Sequence, residues 1–426
     1  MTRWCALIAS VMLLLAAATA DAADVQRVDG LTIVYLEGKP YNIGRRHGQL
    51  LRPEIEQSVH TVLTYFRDYL KIPLIGPLAA DWWLDWSWAR AWKYIPTDYV
   101  EELLGISDGS GVPLRDVWRL HAIPDRTYSC TNLAVWGKAT ADGRLFHVRN
   151  LDWNINAGIQ RFPVVYVVHP NGKQAFVNVS WAGFVGVLTG VNERAMSIGQ
   201  VGAETSDTTF RGIPMAFLMR RVLEHARSLD EAEHVIVRSP RTVGTNYVIA
   251  DGLAKRAIAI ETTQHFATVF EANDPKEQKV SYARPMQDAV FRADTAMDLT
   301  IRNEQYASGG NPNVDGLEPP TGSAYETRYL GTAADIKTYY GELDVERAKR
   351  IARRVAPTSN VQSVIFSWPD VWIANAQGTT PAADSPYVHL NLSELLAVKP
   401  PRDPNDNKDE APATLSHPTR SRRISF

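Results

Sequence analysis

The chain is poor in cysteine, with two in 426 residues, Cys5 and Cys130. That number cannot staple a small disulfide scaffold. It carries little net charge: 45 Lys and Arg stand against 47 Asp and Glu, a balance of −2. No field of one sign is available to hold a polyanion, so nucleic acid is not an expected partner. Beyond the first 22 residues no apolar run approaches the ~20 residues of a membrane span, and no transmembrane segment is expected. There is no internal repeat, no Cys/His grouping with zinc spacing, no phosphate-cradling glycine loop and no nucleophile-elbow serine. No metal and no cofactor are expected. Hydrophobic residues make up 45% of the chain, enough at this length for a full core.

At the N-terminus, Arg3 precedes the apolar run Ala6–Ala18 and then Ala20-Asp21-Ala22. The pattern reads as a secretory signal peptide over residues 1–22, which makes the mature protein periplasmic or secreted. Its removal leaves Cys130 as the remaining cysteine. A lone cysteine in an oxidising compartment makes no internal disulfide. It is a buried filler, an intermolecular link or a reactive thiol.

From Tyr41 to about Gly111 the pattern is helical. Ile55, Val59, Val62, Leu63, Phe66 and Leu70 recur at three- and four-residue steps on a helix that Pro73 ends. Trp82, Trp83, Trp86, Trp88 and Trp92 follow, and helical spacing lets Trp82, Trp86 and Trp92 share part of one face. They read as an aromatic core contact or as the wall of a greasy substrate site. From Thr131 the texture is β-rich, with strands at Asn132–Trp136, Leu145–Val148, Val164–His169 and Ala175–Val179. Asn171-Gly172 supplies a hairpin turn. Helices at Met215–Ala226 and Leu229–Val237 precede strands at Asn246–Ala250 and Ala257–Thr262. The stretch from about Asn273 to Tyr329 reads as loops with short helices, and the tail 399–426 as disordered. The expected class is α+β, with sheets stacked between helical layers.

Cys130 lies where the polar turn Tyr128-Ser129 enters an apolar strand. Asp142-Gly143 turns the chain into a second strand ending Arg149-Asn150-Leu151-Asp152. In such a hairpin the end of the second strand returns beside the start of the first, so Arg149 and Asp152 reach Cys130. A thiol beside a guanidinium and a carboxylate is a place where thiolate can form.

These residues resemble the N-terminal-nucleophile (Ntn) cysteine hydrolases, specifically the autoproteolytic acyltransferase/hydrolase family of penicillin acyl-transferring enzymes (peptidase C45). Gly44-Arg45-Arg46-His47-Gly48, the segment Glu102–Gly111, the run Gly183–Glu193 and Gly244–Asp251 are similar to that family's segments in the same order. The resemblance implies a four-layer αββα sandwich of two antiparallel sheets between helical layers. It implies a self-cut between Ser129 and Cys130, dividing a helical fragment 23–129 from a hydrolase fragment 130–398 with which it stays associated. Ser129 stands where many relatives have glycine. A cysteine at a new N-terminus carries its own base, its α-amino group, with an unperturbed pKa of ~7.7–8.0. The implied roles are nucleophile for Cys130, thiolate or substrate carbonyl holder for Arg149, acceptor of the α-amino hydrogen bond for Asp152, and oxyanion donor for Asn246. Asn150, Asn192 and Thr131 are weaker candidates for supporting contacts.

The function so implied is hydrolysis of a linear C–N amide in a small N-acyl substrate with a hydrophobic acyl group. Acyl transfer to an amine is the alternative within the class. Two rivals stand outside it: a papain-like pair of Cys130 with His121 or His147, and a non-catalytic secreted lipid-binding protein of the same fold.

Overall fold

The computed structural model describes residues 24–69, 76–123, 129–280, 282–307, 324–377 and 379–400. The proposed signal peptide 1–22 and nearly all of the tail 399–426 lie outside the described residues, as do Leu70 and Pro73 at the expected helix end.

The strands form two sheets. The nine-stranded sheet runs β1 (Val25–Val28), β2 (Leu31–Gly38), β5 (Pro163–Pro170), β6 (Phe176–Trp181), β7 (Thr189–Asn192), β8 (Met196–Gly202), β9 (Thr245–Asp251), β10 (Arg256–Thr262) and β11 (Ala267–Phe270). The six-stranded sheet is ordered β12 (Ala289–Arg292), β3 (Ser129–Val135), β4 (Phe146–Asp152), β13 (Asn360–Ser367), β14 (Asp370–Asn375) and β15 (Val388–Asn391). All neighbours pair antiparallel except β2 and β5, which run parallel.

Both faces of each sheet are covered, which is why strands such as Val164-Val165-Tyr166-Val167-Val168 read as unbroken apolar runs and not as alternation. One face of the large sheet, with Val34, Leu36, Tyr166, Ile198 and Ile249, packs on helices α1 (Pro40–Leu50), α2 (Arg52–Tyr69), α3 (Gly76–Ala91), α4 (Thr97–Ser110), α5 (Leu114–Ala122), α6 (Met215–His225) and α7 (Leu229–Arg238). Its other face, with Ile33, Tyr35, Val165 and Val167, meets Val364, Phe366 and Ile373 of the small sheet. The outer face of the small sheet, with Leu133, Val135 and Ile365, is covered by Ala333 and Ile336 of α9 (Ala324–Thr338) and Ile351 of α10 (Val345–Val355). A short α8 (Leu299–Ala307) and α11 (Leu392–Ala397) complete the described helices. The result is the α+β, four-layer sandwich expected from the sequence.

The glycine-bearing segments of the N-terminal region have a packing role. A Cβ on Gly44 would lie 1.9 Å from the carbonyl oxygen of Glu102, and one on Gly105 would lie 2.1 Å from that of Tyr41. Helices α1 and α4 therefore touch backbone to backbone, which only glycine permits.

Two expectations are corrected. Trp82 stacks on Trp86 at 6.1 Å, but Trp92 turns away to Trp88 and Trp118 at 6.2 and 5.2 Å, because the α-helix ends at Ala91 and Trp92 opens a 3-10 turn. The stretch 273–329, expected as loops and short helices, also contains the strand β12, which extends the small sheet beyond β3. Strand β2 pairs with β1 and also with β5, so the β1–β2 hairpin is part of the large sheet. Among the described residues no helix is long and apolar enough to cross a membrane.

Candidate active site

The β3–β4 hairpin has the register the site needs: Ser129 faces Asp152, Cys130 faces Leu151 and Asn132 faces Arg149. Alternation then divides the residues between two faces. Arg149 and Asn132 point at the large sheet, where both lie against Gly199 of β8. Asn150 and Asp152 point the other way, toward α10 and α9, where the Asn150 amide donates to the Ala352 carbonyl at 2.7 Å. Arg149 and Asp152 thus approach Cys130 from opposite sides, and no ion pair joins them.

Cys130 is fully buried. Its sulfur accepts the backbone N–H of Asp152, and the Gln200 amide lies 4.0 Å away. Burial pushes the thiol up to about 11. The Arg149 charge pulls the other way, while Asp152 and Asp294 add to the rise. The backbone N–H of Cys130 donates to Asp294 Oδ1 at 3.1 Å.

Asp152 is held elsewhere. Its Oδ2 pairs with Arg328 at 3.3 Å and its Oδ1 accepts from Asn360 at 2.9 Å. Burial raises its carboxyl to about 7 against the pull of Arg328 and Asn360. Arg328 also pairs with Asp294, so one guanidinium bridges two carboxylates beside the cysteine nitrogen.

Arg149 is fully buried, and its Nη1 donates to the Asn150 carbonyl. Its Nε and Nη2 have no hydrogen-bond partner, and among the described residues no carboxylate forms an ion pair with it. A buried cation with two idle donors is costly unless something arrives to accept from them. Asn246, on β9, donates from Nδ2 to the Ala293 carbonyl at 3.1 Å, one residue from Asp294. The Thr131 hydroxyl is buried without a partner.

Asn192 lies apart from this group. It sits at the β7–β8 turn, where its amide donates to Leu223 and Ala226 and its oxygen accepts from the N–H groups of Arg194 and Met196. It shapes the turn. The two histidines near Cys130 in sequence are also committed. His121 is bonded to the Val117 carbonyl and the Val185 N–H, and His147 to Asn132 and Ser197. Neither has a ring nitrogen left for the thiol.

Asp294, Arg328, Gln200 and Asn360 stand in this site although no motif in the sequence marks them. The start of β3 thus places the sulfur of Cys130 and its own nitrogen inside the sheet-on-sheet sandwich, beside Gln200 and Asp294.

The chain is similar to several known proteins. The family model described as acyl-coenzyme A:6-aminopenicillanic acid acyl-transferase matches residues 139–282. Protein dcd1B of Dictyostelium discoideum is 28% identical over 396 residues, covering 88% of this chain and 77% of that protein. Acid ceramidase of Heterocephalus glaber is 27% identical over 207 residues, 42% of this chain and 51% of that protein. Among solved structures, the Caenorhabditis elegans N-acylethanolamine-hydrolyzing acid amidase ortholog aligns with a TM-score of 0.41 at 16% identity, covering 60% of this chain and 96% of that one. Over residues 139–282 the chain is similar to that acyl-transferase family, and over most of its length to protein dcd1B.

Proposed function

We propose that this chain is an exported, self-processing cysteine hydrolase that cleaves a linear C–N amide through an acyl-thioester on Cys130. In the precursor the thiol attacks the Ser129 carbonyl carbon, the sulfur's proton passes to the Cys130 nitrogen, and that nitrogen leaves as a free amine. Water opens the thioester, restoring the thiol and ending the first fragment, 23–129, at Ser129. In turnover the same sulfur attacks a substrate amide while the α-amino group carries the proton to the departing nitrogen. Arg149 holds the thiolate or the carbonyl, and Asp152 acts through its contacts beside the nucleophile. Asn246 gives its second amide hydrogen to the oxyanion. The observation that carries the reading is the buried, half-idle guanidinium of Arg149 next to the one described cysteine.

A hydrophobic acyl group fits the character of the residues Leu120, Ile123, Trp153, Trp181, Phe184 and Leu188, whose side chains line a cavity of only about 20 Å³ that must widen to admit an acyl chain. Cys130 and Leu151 belong to the same apolar cluster as this lining. A relative named for ceramide points the same way. Acyl transfer is the second reading, favoured by the description of the matching family. Water as acceptor fits an exported protein better.

The test is product release, followed by mass spectrometry, from N-acyl amino acids, N-acyl lactones, bile salt conjugates, ceramides and penicillins. Wild type releases hydrophobic acids and Cys130→Ala releases none. Turnover by Cys130→Ala would refute the thioester, and activity confined to small polar amides would refute the greasy site.

A further inference from the structure

We infer that Asp294 is the positioning residue for the α-amino group of Cys130, in self-cutting and in turnover. The inference rests on the function proposed above. It assigns to Asp294 a hydrogen bond that the family resemblance leads one to expect at Asp152.

The topology brings Asp294 there. Strand β12 runs antiparallel to β3 with Arg292 opposite Asn132, so the chain leaving β12 continues toward the start of β3. Past Arg292 the ladder between these strands ends, and two residues on, the Asp294 carboxylate accepts the Cys130 N–H at 3.1 Å in place of a backbone carbonyl. The residue is held on several sides. Arg328 pairs with its carboxylate, Gln305 donates to its carbonyl at 2.7 Å, and Asn246 donates to the preceding carbonyl of Ala293. Asp152 has its Oδ2 on Arg328 and its Oδ1 on Asn360, so its carboxylate braces the guanidinium that fixes Asp294.

Cutting turns that N–H into an amine at the same place. When the amine takes the proton from sulfur it becomes an ammonium against a carboxylate, and when it passes that proton to the leaving nitrogen it returns to neutral. Asp294 keeps its hydrogen bond throughout and takes no proton. The charged and titratable groups facing this amine are its own thiol, Arg149 and Asp152 from β4, Asp294 after β12, and Arg328 from α9.

A carboxylate beside an ammonium raises its pKa, so a neutral side chain lowers it. The experiment compares wild type, Asp294→Asn and Asp294→Glu, following self-cutting on denaturing gels and kcat/KM against pH on a substrate that wild type turns over. Asp294→Asn is expected to cut at least about tenfold more slowly and to move the acid limb of the profile down by about one pH unit. Asp294→Glu is expected to restore the limb toward wild type. If Asp294→Asn does not fold, the smaller neutral Asp294→Ser carries the same expectation. A neutral variant that cuts at the wild-type rate with an unmoved limb overturns the role of Asp294 alone. A wild-type chain that neither cuts nor turns over any amide overturns the proposed function and this inference together.

Discussion

Arg149 and Gly199 meet across the gap between the two sheets with no room for another atom. A Cβ on Gly199 would lie 2.5 Å from Arg149 Cδ and 2.7 Å from Asn132 Nδ2. A methyl group there must push the guanidinium away from Cys130. Gly199→Ala is therefore expected to keep the fold at a cost of about 1–3 kcal/mol, while kcat/KM falls by roughly tenfold or more. Urea unfolding and steady-state kinetics on the same preparation separate the two effects. Kinetics equal to wild type would mean that the placement of Arg149 is unimportant.

Arg149 itself offers the sharpest contrast between stability and chemistry. Arg149 has no carboxylate partner among the described residues, so removing its charge strands no opposite charge and relieves the cost of a buried cation with unused donors. Arg149→Met is expected to leave the melting temperature unchanged or raised, and to depress self-cutting by roughly 10²–10³-fold. A purely structural arginine would give the opposite pattern: a lower melting temperature with cutting unchanged.

A second buried network spans the two proposed fragments. Arg220 lies between Glu102 at 2.6 Å and Glu224 at 2.8 Å, and Glu224 also accepts from Lys173 and Tyr99 at 2.8 Å each. Tyr99 and Glu102 precede the proposed cut, and the other three follow it. The two glutamates raise Arg220 above its ordinary value. Arg220→Met strands Glu102 in the core, at an expected cost of about 3–5 kcal/mol. In mild urea, size-exclusion chromatography should separate the fragments of this variant at concentrations where wild type still elutes as one particle.

Acid should destabilise the protein through three buried histidines. Burial lowers His47 and His147 to about 3 and His121 to about 4. An unfolded histidine takes its proton near 6.5, so between that value and the lowered ones the unfolded state binds more protons. The stabilisation is full above about 6.5 and is lost as pH falls, by up to about 1.4 kcal/mol per histidine at pH 5.5. Urea midpoints at pH 7.5 and 5.5 measure the loss, and His121→Gln should reduce the difference.

The hairpin that carries Cys130, Arg149 and Asp152 was legible because short-range signals define it. Two apolar strands flank a turn-rich stretch, which marks an antiparallel hairpin, but the register was not legible: counting from Asp142-Gly143 would put Ile155 opposite Cys130, whereas the whole connection 136–145, with its 3-10 turn, puts Leu151 there. The division into faces follows from alternation alone, since residues three apart on a strand point opposite ways, and this explains why Arg149 and Asp152 are not paired with each other. Asp294 and Arg328 were not legible. Asp294 reaches the site at the end of a four-residue strand inside a polar, turn-rich stretch, with too few residues to show a period, and Arg328 arrives on a helix far along the chain. Gln200 was hidden for another reason: in a strand buried on both faces a polar residue shows no alternation that says which way it points. Asn192 looked like a site residue because its segment resembles the family's, yet its amide is spent on a turn.

In the proposed mechanism Cys130 becomes the first residue of a new polypeptide, and its own amine serves as the base. N-terminal sequencing and intact mass of the active protein read this out. Two co-purifying chains are expected, the larger beginning at Cys130 with a free α-amino group. A fully active preparation in which the Ser129–Cys130 bond is intact would rule the mechanism out.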